Sequence, residues 1–299
     1  MKLKTFIQAA RLRTLPLSVS GIVMGSALAY SQDLFRSDIF IWALTTTILL
    51  QVLSNFANDY GDGVKGTDNH NRIGPQRALQ SGKVTRSEMK TAVAVTALLA
   101  LLAAVILIYK AFGRDHIIYI VVFMLLGVLS VVAAIKYTVG KSAYGYRGLG
   151  DVFVFLFFGW LSVLGSYFLY THHLPWKVIL PATAIGFLSV AVLNLNNMRD
   201  YENDKAVGKN TLVVKIGVQW AKYYHYYLVV LAMFLMLTYS VLHLHTHWKL
   251  LYWIAFLPLI AHLIRVKKNK ELKVLDKELK VVALSTFLLS VLFFIGLLF

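Results

Sequence analysis

The chain has 299 residues, 58% apolar and only 15% charged, with 30 Lys and Arg against 14 Asp and Glu, a formal net charge of +16 and no cysteine. No globule of this length hides so much apolar side chain from water, and a mean hydropathy of +0.66 excludes an ordinary soluble domain. The lack of cysteine also excludes disulfides, thiolate nucleophiles and Cys-ligated zinc or iron–sulfur clusters.

In chain order, residues 1–13 carry Lys2, Lys4, Arg11 and Arg13 and lead into an apolar run with no small-residue cleavage site, which predicts a retained cytoplasmic end. Nine apolar runs follow, at about 14–31, 38–57, 91–110, 116–138, 151–170, 176–198, 224–243, 248–266 and 280–299. Each is near the roughly 20 residues that a helix needs to cross a hydrocarbon core of about 30 Å. None alternates as a barrel strand does, so backbone groups in lipid must be satisfied within helices. The predicted fold is all-α: one domain over residues 1–299, a polytopic membrane bundle of nine transmembrane helices around a central cavity open to the cytoplasmic side and to lipid. With the N-terminus inside, all but five of the 30 basic residues face the cytoplasm, and the outer side holds only Arg36, Lys110, Arg114, Lys177 and Lys249. The positive charge therefore reads as a topology signal with a contribution from anionic lipid, and the basic stretch 265–280 reads as a lipid-facing loop. No nucleic-acid motif is present.

Carboxylates near lipid are expensive, about 2.5 to 3.5 kcal/mol each at the bilayer centre. Even so, Asp59, Asp62 and Asp68 end the second span, and Asp200, Glu202 and Asp204 end the sixth. Both runs fall on the predicted cytoplasmic side. Asn58 and Asp62 match Asn196 and Asp200 at an offset of 138 residues, a loose repeat of two halves, about 1–140 and 141–299, facing one cavity. Within each run the four-residue spacing (Asn58 with Asp62, Asn196 with Asp200, Asp200 with Asp204) puts pairs of oxygens on one helix face. Hard oxygen ligands without His or Cys select Mg²⁺ or Ca²⁺, and Mg²⁺ commonly takes one or two carboxylates together with substrate phosphate oxygens. Arg72, Arg77, Lys141, Arg147, Arg199, Lys205 and Lys209 lie around the runs as phosphate-binding candidates. The plainer alternative is that the acids only pair with the basic loops at the interface.

These residues resemble the UbiA superfamily of intramembrane aromatic prenyltransferases. The first acidic motif reads NDYGDGVKGTD (58–68), the second NNMRDYENDKAVGK (196–209), and Tyr137-Thr-Val-Gly-Lys141 lies between them. Within the superfamily the chain is similar to the 1,4-dihydroxy-2-naphthoate polyprenyltransferases of menaquinone synthesis, on the stretches ARLRTLP (10–16), RIGPQRALQSG (72–82) and YRGLGDVFVFLFFG (146–159) followed by VLGSYF. Asp151 stands where Glu is usual, and Val207 where Ala commonly precedes Gly-Lys. The resemblance implies a bacterial inner (plasma) membrane enzyme that transfers a polyprenyl group from a polyprenyl diphosphate to the naphthoate, with loss of CO₂, giving demethylmenaquinone. It further implies Mg²⁺ held by Asn58, Asp59, Asp62, Asn196, Asp200 and Asp204. Substrate contacts would come from Arg72, Arg77, Arg147, Arg199, Lys205, Lys209, Asn55 and Asn197. Lys141 and Tyr137 would stabilise the leaving diphosphate, and Asp68 or Asp151 would be general base.

Competing readings exist for several of these residues. Asn55 and Asn194 suit interhelical hydrogen bonds, and Phe153, Phe155, Phe157, Phe158 and Trp160 suit core or lipid-facing packing as well as a prenyl tail. His172, His173, His243, His245 and His247 share the outer side, where they would pack or, less simply, bind a metal. Another aromatic acceptor, or a cation or anion transporter using the acidic ends, remains as an alternative function. A CDP-alcohol phosphotransferase is disfavoured because Asp59-Tyr-Gly-Asp62-Gly63 is not followed by that family's Ala-Arg.

Overall fold

The computed structural model describes residues 2–67, 73, 74, 76–244 and 247–299, the side chains of 247 and 248 excepted. Among them, nine helical stretches are long and apolar enough to cross a membrane, and there is no strand. The chain is a multi-pass membrane protein.

A short amphipathic helix, α1 (Lys2–Ala9), precedes the first span and is tied down by an ion pair from Lys2 to Glu88. The chain turns at Arg11, held in the left-handed region at φ 49°, and enters α2 (Leu15–Tyr30), whose Pro16 falls in the first turn, where a missing N–H is harmless. Next come α3 (Ser37–Lys65), α4 (Arg86–Phe112) and α5 (Ile117–Lys136), packed on one another. A reciprocal cap starts α4: Thr85 accepts from the Glu88 N–H at 3.2 Å and Glu88 accepts from the Thr85 N–H at 2.9 Å. The fifth span is composite. It joins α6 (Gly150–Val154), a π-helical stretch (Phe155–Gly165) and α7 (Ser166–Thr171).

At the centre lies α8 (Ile179–Arg199), with Ala182, Ala184, Ile185, Leu188, Ala191 and Leu195 fully buried. It packs on α2, on the π-helical stretch, on α10 (Leu212–His243), reached through α9 (Tyr201–Ala206), and on α12 (Leu275–Gly296), which follows α11 (Phe256–Lys268). Because hydrocarbon is as apolar as leucine, such contacts rely on small residues that let backbones approach. A Cβ on Gly159 would stand 2.5 Å from the Gly186 Cα, and one on Gly25 would stand 2.5 Å from the Val163 carbonyl oxygen. Polar bridges add to the packing. Asn55 donates to the Ala10 carbonyl at 2.8 Å and Asn194 to the Ala221 carbonyl at 2.9 Å. Between α10, α11 and α12, His225 Nε2 meets His262 Nε2 at 2.7 Å, and Glu278 accepts from Arg265 Nε at 2.6 Å.

Four helices are longer than their apolar runs suggest, among them α4, which starts at Arg86 rather than near 91. α3 continues past residue 57 to Lys65, α12 starts at Leu275 rather than near 280, and α10 starts at Leu212 rather than near 224, with a break at Gly217, φ 80°. Hydropathy ends where the charges begin, but in α3 and α12 those charges have partners in the fold, so the helix does not end there. Of the outer-side histidines, His172 packs on Phe112 and His116, and His243 on Trp176 and Tyr239; His245 and the His247 side chain lie outside the described residues.

Candidate active site

One large cavity, about 1190 Å³, runs into the bundle from the ends of α3 and α8. Its wall on α3 recurs at helical spacing, Ala43, Thr46, Leu50, Ser54, Asn58 and Asp62, a row about 28 Å long at 1.5 Å per residue. One end is polar, with Arg11, Asn58, Asp62, Arg77, Tyr137, Asn196, Lys209 and Asp276, and the far end is apolar, with Ile22, Leu107, Ile108, Phe123, Leu161 and Leu169.

At the polar end the two acidic runs meet through Tyr146. Its hydroxyl donates to Asp62 Oδ1 at 2.6 Å and lies 2.7 Å from Thr67 Oγ1, and its carbonyl accepts from the Asn210 N–H at 3.1 Å. Lys65 and Lys209 stand over its ring at 3.8 and 5.5 Å, and Lys209 reaches Asp204 Oδ1 at 3.6 Å. Asn203 closes the junction by donating to the Thr67 carbonyl at 3.4 Å.

Asp59, Asp62, Asp200 and Asp204 are each held by a cation or by backbone. Arg77 pairs with Asp62 at 2.9 Å, both nearly buried. Arg199, 2% exposed, grips Asp200 with Nε at 3.0 Å and Nη2 at 2.7 Å, and reaches Asp276 at 2.5 Å and Asn196 at 2.8 Å. Asp59 is occupied differently, since its two oxygens accept from the Ala78 and Leu79 N–H groups at 2.9 and 3.1 Å and so anchor the loop that carries Arg77. Asn58 Oδ1 lies 3.3 Å from the Thr138 hydroxyl.

Tyr137 stands on the cavity wall beside Tyr144, which stacks on Phe153 at 3.9 Å. Burial, and then the negative charges of Asp151, Asp62 and Asp204, push the Tyr137 hydroxyl far above the usual tyrosine range. It stays a proton donor at any physiological pH.

Residues 18–297 match the UbiA prenyltransferase family. The chain belongs to this family. It is 46% identical to the 1,4-dihydroxy-2-naphthoate octaprenyltransferase of Escherichia coli K12 over 84% of this chain and 81% of that one. It is 41% identical to the enzyme of the same name from Haemophilus influenzae over 99% and 96% of the two chains. Among solved structures, a UbiA homolog from Archaeoglobus fulgidus bound to DMAPP and Mg²⁺ superposes with a TM-score of 0.66, covering 97% of this chain and 99% of that chain at 13% identity, which shows a shared fold.

In this UbiA family member the remaining predicted site residues fall in three places. Asn55 lines the cavity wall while bonded to Ala10, and Asn197 is buried in α8 away from the lining. Asp151 is buried behind Tyr137, off the cavity wall. Lys141 and Arg147 are exposed in turns between α5 and α6 and Lys205 is exposed on α9, all three off the cavity lining. Asp68 and Arg72 lie outside the described residues. Sequence reasoning missed Tyr146 and Asp276 as site residues: Tyr146 opens a stretch noticed only for its resemblance, and Asp276 sits in a segment that reads as a basic loop.

The donor set suits a hard divalent cation. Asn58, Asp59, Asp62 and Asn196 offer oxygen ligands at the wall of the polar end, and among the described residues of the lining none is His or Cys. Among the described residues no three acidic or His side chains gather into a cage by themselves. That matches Mg²⁺, which needs few carboxylates when a diphosphate supplies the rest.

Proposed function

We propose that this protein transfers a polyprenyl group from a polyprenyl diphosphate to 1,4-dihydroxy-2-naphthoate in the bacterial inner membrane. The observation that carries this reading is one cavity whose polar end is lined by Asn58, Asp59 and Asp62 of the first run and by Asn196, Arg199 and Lys209 around the second, with Asp200 and Asp204 just off the wall and paired to Arg199 and Lys209, and whose apolar end lies deep in the bundle. Relatives at 46% and 41% identity that carry the naphthoate octaprenyltransferase name point to the same acceptor.

The diphosphate belongs at the polar end. Lys209 and Arg77 are placed to trade their carboxylates for phosphate oxygens, and Tyr137 donates a proton bond to the oxygen that leaves carbon. Asn58, Asp62, Asn196, Asp200 and Asp204 would hold Mg²⁺, which, when bound, supplies charge neutralisation for the leaving diphosphate. Arg199 keeps Asp200 and Asn196 aimed, and Asp59 does the same for the Arg77 loop. Asp151 acts as a positioning residue behind Tyr137. The exposed Lys141, Arg147 and Lys205 would draw the two anionic substrates toward the cavity, and Arg147 would hold the naphthoate carboxylate.

In the reaction the C–O bond of the allylic diphosphate breaks and its electron pair leaves with the diphosphate. The ring carbon bearing the carboxylate bonds to the allylic carbon, and the bond to the carboxylate then breaks. CO₂ departs, its electron pair restores the aromatic ring, and the prenylated diol oxidises in air to demethylmenaquinone. Burying the tail favours binding by about 0.8 kcal/mol per CH₂, so the donor enters from lipid.

The test is the purified protein in lipid nanodiscs with the naphthoate, octaprenyl diphosphate and Mg²⁺. We expect demethylmenaquinone by mass and one CO₂ per prenyl group, with turnover abolished by EDTA and restored by Mg²⁺. No product with any donor length overturns the assignment. Hydroxybenzoate and homogentisate assayed side by side separate this acceptor from others.

A further inference from the structure

We propose that Gly127 on α5 and Gly165 at the end of the π-helical stretch set the length of prenyl tail the cavity accepts, an inference that rests on the prenyl diphosphate reading above. Glycine weakens a helix, so each one inside a span needs a reason. For Gly21, Gly25, Gly159 and Gly186 the reason is packing, because an added Cβ would come within 1.8 to 2.8 Å of a neighbouring element. Gly127 and Gly165 differ. A Cβ on Gly127 would meet only the Ala104 methyl at 3.8 Å, and one on Gly165 would meet the Leu161 Cδ1 at 3.3 Å and Phe123 at 4.0 Å. At neither does another element approach closer than 3.8 Å, and both line the cavity.

Their place in it is the deep end. Gly127 is one turn from Phe123, a cavity-wall ring braced by Phe112 at 5.1 Å and by Phe168 at 5.7 Å. Gly165 comes beside the same ring by way of the π-helical stretch. Cavity-lining residues there recur in pairs every four positions: Phe153 and Val154, Phe157 and Phe158, Leu161 and Ser162, Gly165 and Ser166, then Leu169. An α-helix, at 3.6 residues per turn, would rotate such a row by about 160° between Phe153 and Leu169 and turn its far end out of the cavity. The wider turns between residues 155 and 165 take that rotation back, so one face lines the cavity from Tyr144 and Phe153 down to Leu169. The row ends with its two glycine-bounded sides and the Phe123 ring around the last part of the tail path.

The experiment compares Gly127→Leu, Gly165→Leu, the milder Gly127→Ala and Gly165→Ala, and Phe123→Ala with the unaltered chain in nanodiscs. Geranyl, farnesyl and octaprenyl diphosphates are the donors, and unreactive prenyl thiodiphosphates of the same lengths are titrated to give Kd. We expect the glycine variants to lower the octaprenyl-to-geranyl preference by about tenfold or more with Leu and by a few-fold with Ala, in kcat/KM and in Kd alike. Phe123→Ala should raise that preference. Equal losses for all three donors, or no change in the ratio, overturn the proposal. The Ala pair carries the test if a Leu variant does not fold. If the unaltered chain binds the thiodiphosphates yet prenylates no naphthoate, the acceptor assignment falls while the length ratio is still read from Kd.

Discussion

Asp62 is the residue on which most of the site converges, touching Arg77, Tyr146 and the cavity at once. Asp62→Asn keeps the shape and removes the charge, and we expect kcat/KM to fall about 100-fold or more, roughly 2.7 kcal/mol, with a raised Mg²⁺ requirement in a metal titration. Arg199 plays another part. Nearly fully buried at the cavity wall, it gives Nε, Nη1 and Nη2 to Asp200, Asp276 and Asn196. Arg199→Ala removes the buried guanidinium that pairs with Asp200, and thermal or denaturant unfolding in detergent should show a loss of about 3 kcal/mol. Asp276→Ala, at a carboxylate that is 40% exposed, should lose less than about 1 kcal/mol in the same measurement. Tyr137 and Tyr144 give the pH dependence outside the spans. Burial raises both hydroxyls above their ordinary range near pH 10, so the unfolded chain releases their protons first. Their contribution to stability is complete below pH 10 and is lost as pH rises beyond it. Tyr137→Phe should flatten that alkaline limb in a melting-temperature series against pH.

At the scale of elements, the junction between the composite fifth span and α8 has little tolerance. Gly159 and Gly186 bring two backbones together, and a methyl on Gly159 must push α8 away. We expect Gly159→Ala to destabilise the bundle by about 1 to 3 kcal/mol, the range for overpacking, read as a lower unfolding midpoint, although Ala is the better helix former. The opposite sign would mean that the two elements separate freely. Periodicity marks this span as helical and apolar but carries no sign of π turns, because a hydrophobic residue at nearly every position satisfies either winding. Likewise α3 reads as ending at residue 57, since hydropathy registers Asp59 and Asp62 as a stop, while in the fold Ala78, Leu79, Arg77 and Tyr146 satisfy those oxygens and the helix runs on. Asp276 was hidden for a related reason. Nothing in a lysine-rich segment announces that one acid turns inward to an arginine 77 residues earlier.

For the whole molecule, orientation in the membrane is the property that follows from charge. We propose that the basic loops lie inside, which would turn the cavity mouth and both acidic runs to the cytoplasm. A chain without cysteine makes this easy to check. Single cysteines placed at Lys83 and at Lys177 should react with a membrane-impermeant maleimide from opposite sides of sealed vesicles, Lys83→Cys only from the cytoplasmic face. Labelling of both from one face would overturn the topology.

Composition, nine apolar runs and the loop charges were enough to determine a helical membrane protein, because lipid leaves a backbone few ways to satisfy its hydrogen bonds. Four-residue spacing in the first run likewise put Asn58 and Asp62 on one cavity-facing side of α3, whereas the second run breaks at Asp200 between α8 and α9, so that Asn196 lines the cavity and Asp200 does not. Only the tertiary structure decided how the two runs meet, through Tyr146, Lys209 and Asn203, that Asp62 and the loop-anchoring Asp59 line the cavity, and that Asp200 and Asp204 stay off its wall. Such choices depend on contacts between residues far apart in the chain, and local pattern holds no record of them.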